Sequence, residues 1–334
     1  HSRNNDLSAI SRQDFYGRRI ARLLPLALLV CFAAILVAFF STAGTARDFT
    51  LQSPNSALNF NLFLSLPLFF FNWARILHEH IAPGWGLQWD IFWSLAIEEQ
   101  FYLLYPFALR AFGKSFKKMA LVMASVIVFG IAYRFWAYAT APQDFWLSMG
   151  GSPSGFESIA WGILAYIAST QPFMNRMKRL QVHSVIGLSI LFALIVFWGT
   201  NISSVSPARI FGPTLLAIAI AVGLAASTKS NRVQKLPKFI TTPGALCYSI
   251  YLTHPLIIFV LFKIFGYQKP QLFIPLVFGS AVLLGLVLFY SFEKPLNSML
   301  RRKIGSFELP KGPLRRLINV PIKWPGRHAL TDKD

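Results

Sequence analysis

Long apolar runs recur from residue 23 to residue 292, and most of them approach the length that a helix needs to cross a bilayer. Lipid offers the backbone no hydrogen-bond partner, so a spanning segment must satisfy its own polar groups. Hydrophobic residues make up 54% of the chain, and only 13% of its residues are charged. The sequence therefore predicts an all-α fold, a polytopic bundle of transmembrane helices.

One of the nine candidate segments differs from the others in composition. The nine are 23–42, 58–74, 91–109, 119–138, 155–169, 184–200, 209–227, 245–265 and 271–292. The segment 58–74 contains Asn59, Asn61 and Asn72, and irregular backbone at membrane depth is tolerated where protein or a polar cavity surrounds it. We therefore predict about eight crossings plus one re-entrant segment, with Pro25 at the opening turn of the first span.

The formal net charge of +19 is concentrated between the apolar runs. Of the 32 Lys and Arg residues, 26 fall in the five segments 1–22, 110–118, 176–179, 229–238 and 294–334. If 58–74 is re-entrant, all five lie on one side of the membrane, as the positive-inside bias requires. This pattern predicts that both ends are cytoplasmic and contact membrane lipids, and it argues against nucleic acid as a partner. The predicted organisation is a basic cytoplasmic segment 1–22, a membrane domain 23–293 and a basic cytoplasmic tail 294–334.

Two adjacent carboxylates, Glu98 and Glu99, interrupt the aromatic and leucine-rich stretch 93–106. At helical spacing Ser94, Glu98 and Tyr102 share one face. A carboxylate in a membrane helix is costly, so it usually faces a polar cavity or a partner. Two interpretations stay open for Glu98: a catalytic group, or an inter-helix hydrogen bond that holds the bundle together.

Arg19 and Arg22 lie three residues apart at the start of the first span, on one helical face. The guanidinium fork suits phosphate groups, so the pair is a candidate binding site for a phosphorylated ligand. The alternative is an ordinary topology signal in contact with lipid headgroups.

His254 lies about nine residues into its span, with Tyr251 on the same face. Pro255 donates no backbone hydrogen bond and clashes with the carbonyl of Tyr251, which should therefore accept another partner. A histidine at this depth is a candidate proton-transfer group. A histidine satisfied by hydrogen bonds across helices is the open alternative.

Other polar groups suggest no separate chemistry. The sequence His-Glu-His at 78–80 lacks the i, i+4 spacing of a zinc helix, so we expect an interfacial loop there and no metal site. Glu293 and Lys294 lie at the end of the last span. We expect their charged ends to extend toward water (snorkelling) and to cap the helix. Cys31 and Cys247 fall within apolar spans, which makes a disulfide framework unexpected.

Taken in order, these segments resemble the acyltransferase-3 family of integral membrane acyltransferases. The motifs that carry the resemblance are Phe15, Tyr16, Arg18, Arg19, Arg22 and Pro25; Trp93, Ser94, Leu95, Glu98, Glu99, Gln100, Phe101, Tyr102 and Pro106; Trp161, Gly162 and Ala165; Tyr248, Ser249, Tyr251, Leu252, His254 and Pro255; and Glu293, Lys294 and Pro295. The resemblance implies transfer of an acyl group, commonly acetyl, from acetyl-CoA or another acyl-CoA to a hydroxyl of a glycan or lipid-linked sugar. It also implies a bacterial inner-membrane location.

We hypothesise a division of roles for such a reaction. Arg19 and Arg22 would hold the phosphates of acyl-CoA, Glu98 would orient the acceptor or accept a proton, and His254 would stand at the reacting centre in place of the histidine that the family usually supplies. The side chains that would line the cavity are Ser94, Tyr102 and Tyr251.

Two competing interpretations remain. Family members typically begin with two further spans that carry an Arg and a His held to be essential for acyl transfer, and no such motif precedes Arg3. We therefore expect an inactive member or part of a longer chain. A glycolipid transporter or flippase would also use buried ionisable groups, but it would typically show inverted internal repeats, and no convincing repeat is found.

Overall fold

The computed structural model describes residues 12–41, 64–65, 68–81, 91–177, 179–199, 208–230, 246–265 and 270–305, together with the single residues 237 and 244. Regular secondary structure in these ranges is helical, and no strand occurs there. The prediction of an all-α fold is confirmed. The described helices are α1 (Arg12–Ser41), α2 (Phe71–Ile81), α3 (Phe92–Phe112), α4 (Phe116–Thr140), α5 (Phe145–Gly150), α6 (Ser152–Ser169), α7 (Pro172–Arg176), α8 (Arg179–Gly199), α9 (Ala208–Ser227), α10 (Cys247–Phe265), α11 (Pro270–Leu288) and α12 (Lys294–Gly305), with a π-helical turn, Phe289–Glu293, between the last two.

Three helical segments of the described chain are long and apolar enough to cross a membrane: Phe116–Thr140, Ala208–Ser227 and Gln271–Leu300. Two shorter apolar helices, Gln181–Val196 and Cys247–Ile258, accompany them. Many large apolar side chains of these helices point away from the protein interior, which is the arrangement expected when lipid is the solvent. The protein is a helical membrane bundle, and the number of eight crossings stays a prediction.

Helix α1 begins at Arg12, so Pro25 lies inside the helix rather than at its opening turn as predicted. A proline inside a helix removes one backbone hydrogen bond. Ala21 and Leu26, on either side of Pro25, are almost fully buried. Packing against the bundle therefore holds the helix together across the proline, an effect that local sequence does not reveal.

The segment 58–74 is described only at 64–65 and 68–74, and its other residues lie outside the described part. The chain turns at Leu68 and Phe69, where Phe69 adopts a left-handed φ of 55° that is unusual for a bulky residue. Helix α2 follows and continues through 78–80, where a loop was predicted. Asn72 and Ile76, four residues apart, are buried on one face of the first half of this helix.

Helix α3 takes part in two apolar cores. Its first half contributes Phe92 and Leu95 to a core that also contains residues of α1, α2 and α10. Its second half contributes Phe101 and Leu109 to a core shared with α4 and α6. The stretch 93–106 is thus central to the packing of the bundle.

Candidate active site

The face of α3 that carries Ser94, Glu98 and Tyr102 is half-buried along its length. Leu95, Ala96 and Ile97 occupy the fully buried positions of the same turns. The Ser94 hydroxyl forms a short hydrogen bond with the hydroxyl of Tyr251 on α10. Burial of the apolar positions thus fixes the rotation of α3 and places its polar face toward neighbouring helices.

Arg19 of α1 lies against this polar face. Its guanidinium carbon is 3.7 Å from the centre of the Tyr102 ring and 5.6 Å from the centre of the Phe15 ring. The charge of Arg19 interacts with the carboxylates of Glu98 and Glu99. Exposed Arg22 also interacts electrostatically with Glu98. The structure therefore brings Arg19, Arg22, Glu98 and Tyr102 into one group.

His254 is joined to the same region through Tyr251. Its Nδ1 donates a hydrogen bond of 2.7 Å to the Tyr251 carbonyl, which accepts an additional partner as predicted from Pro255. Because a carbonyl can only accept, Nδ1 carries the proton in this hydrogen bond. Among the described side chains, Tyr251 lies between His254 and Ser94, and no direct contact of His254 with Glu98 is observed.

A cleft of about 410 Å³ opens between α1, α3 and α6. Arg19 and Tyr102 line it, whereas Ser94, Glu98, Tyr251 and His254 are not among its lining residues. The other lining residues are Phe15, Phe101, Tyr105, Ile159, Gly162, Ile163 and Tyr166. The predicted cavity residues therefore form two neighbouring groups, one at the cleft and one along the α3–α10 contact.

A buried ion pair that the sequence did not predict joins α4 and α6. An Arg134 nitrogen lies 2.5 Å from a Glu157 oxygen, and both side chains are 1% exposed. The Thr214 hydroxyl of α9 donates to Glu157 at 2.6 Å and accepts from Arg134 at 2.6 Å. An isolated ionisable residue in an apolar span indicates that a partner exists. It does not identify the partner, because that depends on which helices are neighbours.

A hydrogen-bond network, also not predicted from the sequence, connects α2 and α3 to the start of α6. The Gln100 amide donates to the carbonyl of Phe69 at 2.7 Å and to Asn72 at 3.0 Å, and it accepts from Ser152 at 2.5 Å. Asn72 and Trp73 both donate to the Ser152 hydroxyl. Gln100 directly follows the Glu98–Glu99 pair, so this network holds the turn at Phe69 against the candidate site.

Glu293 does not snorkel as predicted. It is 5% exposed and accepts a hydrogen bond of 2.5 Å from Ser249 on α10. The π-helical turn Phe289–Glu293 alters the helical phase at this point, and this turns Glu293 inward while Lys294 stays exposed. Among the described residues no group of three or more His, Cys, Asp or Glu side chains could hold a metal ion. The side chains of 78–80 lie outside that set.

Comparison with known proteins identifies the class to which this fold and site belong. The family described as "Acyltransferase domain", Acyl_transf_3, matches residues 7–290. The chain belongs to the acyltransferase-3 family, and the resemblance found in the sequence is confirmed.

Two curated relatives are similar to the chain. Peptidoglycan O-acetyltransferase OatA of Listeria monocytogenes is 24% identical over 278 residues, which cover 79% of this chain and 43% of the relative. YrhL of Bacillus subtilis, provisionally named a peptidoglycan O-acetyltransferase, is 30% identical over 141 residues, which cover 39% of this chain and 20% of the relative. The chain spans less than half the length of either relative. No solved structure gives a significant match.

Proposed function

We propose that the chain is a membrane-embedded acyltransferase domain that moves an acyl group, most simply acetyl, from acyl-CoA to a hydroxyl of a cell-surface glycan. The observation that carries the proposal is the contact of the Arg19 guanidinium with the Tyr102 ring, on the helix face that also carries Glu98. A cation and a carboxylate on one polar face of a membrane bundle supply a contact for an anionic donor and a proton acceptor. The names of the relatives support acetyl as the acyl group and peptidoglycan as the kind of acceptor.

The donor contact that we propose consists of Arg19 and Arg22, which would hold the phosphates of acyl-CoA. Two neighbouring arginines suit phosphate because each guanidinium can donate two parallel hydrogen bonds. Exposed Arg110, at the end of α3, and Lys117, in the first turn of α4, extend the basic character toward the predicted cytoplasmic side. This distribution supports a donor that arrives from the cytoplasm, in a bacterial inner-membrane protein with cytoplasmic ends.

The proposed reaction is attack of an acceptor hydroxyl on the thioester carbonyl. The new bond joins the acceptor oxygen to the acyl carbon, and the carbon–sulfur bond breaks. Glu98 accepts the hydroxyl proton, which then passes to the departing CoA sulfur and leaves free thiol. The hydroxyls of Ser94 and Tyr251 bond to each other and to the Ile91 carbonyl, and one of them would turn from that carbonyl to donate to the developing oxyanion. His254 acts as a positioning residue, because its hydrogen bond holds the backbone that carries Tyr251.

The decisive experiment measures CoA release by the full-length protein reconstituted in nanodiscs with acetyl-CoA and a soluble glycan acceptor. We expect Glu98→Gln to lower kcat by about 10²–10⁴-fold, the usual contribution of a general base. Glu99→Gln is the matched control, because it makes the same chemical change one residue away, and we expect a smaller loss. Undiminished turnover in Glu98→Gln would remove this carboxylate from the chemistry.

A further inference from the structure

A second cavity lies beside the cleft that Arg19 lines. It has a volume of about 300 Å³ and lies between α6 and α9, with Met149, Ser158, Gly162, Pro213 and Ala217 among its lining residues. Gly162 also lines the first cleft, so the two cavities share this glycine. Together they follow the surface of α6 from the Arg19 end toward α9.

The backbone of Gly162 faces open space rather than a neighbouring helix. A Cβ atom added there would meet no atom within 4 Å. By contrast, a Cβ on Gly130 would lie 2.7 Å from the Pro153 carbonyl oxygen, and a Cβ on Gly155 would lie 2.4 Å from a side-chain carbon of Ile97. Those two glycines permit close packing of helices, whereas the missing side chain of Gly162 leaves open space at the residue that both cavities share.

The edges of this groove face the exterior of the bundle. Tyr166 is 54% exposed, Ile220 is 50% exposed and Leu224 is 53% exposed. In a membrane bundle such apolar edges meet lipid chains, so an occupant can enter sideways from the bilayer. The lining is mostly apolar along α6 and α9, with the hydroxyls of Ser158 and Tyr166, and Arg19 is its basic residue.

We propose that the two cavities form one groove that binds a bilayer lipid with a phosphate headgroup. The phosphate lies at Arg19, and one hydrocarbon chain passes over Gly162 to α9. Packing of the chain contributes little preference, because the surrounding lipid is equally apolar. The preference comes from the charge-assisted contact at Arg19, supported by exposed Arg22 one turn later on the same helix. The facing carboxylates, Glu98 and Glu99, oppose an anion, so the head must approach from the cleft side of the guanidinium.

This inference goes beyond the proposed function, although the two share Arg19. A lipid phosphate at Arg19 and an acyl-CoA phosphate at the same guanidinium would compete. Each ligand should therefore weaken the binding of the other by the same factor. Lipid binding itself needs no acyl transfer, and it can be measured whether or not the domain is active.

The test uses the full-length protein in phosphatidylcholine nanodiscs with trace phosphatidic acid that carries a photoreactive group at the end of one chain. After illumination we expect crosslinks in α9. Gly162→Leu should reduce these crosslinks about tenfold, which corresponds to a change of about 1.4 kcal/mol in binding. Gly162→Ala, a smaller change that preserves folding more readily, should give an intermediate loss. Gly187→Leu on α8 is the matched control, because an added Cβ there also meets no atom within 4 Å, and its labelling should equal that of the wild type.

The headgroup is tested separately with a phosphatidylcholine probe that carries the same photoreactive chain. We expect the phosphatidic acid probe to label α9 more strongly, and Arg19→Ala to remove the difference. Equal labelling by the two probes in the wild type would overturn the headgroup assignment. Equal labelling of α9 in Gly162→Leu, Gly162→Ala and Gly187→Leu would overturn the groove itself. Absence of acetyl-CoA turnover would contradict the proposed function and leave both lipid results standing.

Discussion

The guanidinium of Arg19 lies 3.7 Å from the centre of the Tyr102 ring, so a cation of α1 covers an aromatic face of α3. The two residues stand 83 positions apart in the sequence, yet both line the same cleft. The ring orients the guanidinium, while the carboxylates of Glu98 and Glu99 also act on its charge. Arg19 thereby lines a cleft that an anion can reach.

The first prediction concerns this contact. Tyr102→Leu should weaken acetyl-CoA binding by about 5- to 30-fold, because a partly desolvated cation–π contact is worth about 1–2 kcal/mol. Tyr102→Phe keeps the ring and loses only the hydroxyl, so its affinity should stay within about threefold of the wild type. Titration calorimetry of the reconstituted protein measures both values. Equal losses in the two variants would show that the hydroxyl, and not the ring, holds Arg19.

The second prediction concerns the buried pair Arg134 and Glu157. Glu157→Ala should lower the unfolding free energy by about 3–5 kcal/mol, because it leaves a buried guanidinium without its counter-charge. The double variant Arg134→Met with Glu157→Leu should be less destabilised than Glu157→Ala, because it removes both charges and fills the space. Thermal unfolding in detergent measures this order. A double variant that is less stable than Glu157→Ala would contradict it.

The third prediction concerns the link between Ser94 and Tyr251. Ser94→Ala and Tyr251→Phe should each lower turnover while the fold stays intact, because each removes a hydroxyl that we assign to the oxyanion. Their effects should be coupled by about 0.5–3 kcal/mol, as expected for residues in direct contact. A double-mutant cycle on kcat/KM measures the coupling. Strict additivity would place the two hydroxyls in separate roles.

Much of the site follows from local rules that apply along one helix. The shared face of Ser94, Glu98 and Tyr102 depends only on helical spacing, and it is present in α3. The additional acceptor role of the Tyr251 carbonyl depends only on Pro255 four residues later, and His254 meets it. Predictions of this kind succeed because the interacting groups lie within one or two turns of each other.

Pairing between helices could not be predicted in the same way. Arg134 and Glu157 are separated by a turn and the short helix α5, and their partner Thr214 comes from a third helix. The inward position of Glu293 depends on one π-helical turn, a change of phase that composition does not encode. Both outcomes are set by which helices pack together, and a single sequence carries little information about that.

The presence of α3 in both apolar cores has a mechanical consequence. The helix is anchored by Leu95 in one core and by Leu109 in the other, and Pro106 interrupts its backbone hydrogen bonding between them. Ser94 and Tyr102 both precede Pro106, so a tilt of this segment that widened the cleft near Tyr102 would also move Ser94. In the proposed reaction, entry of the donor at Tyr102 and movement of the Ser94 hydroxyl would therefore be coupled through one segment of α3.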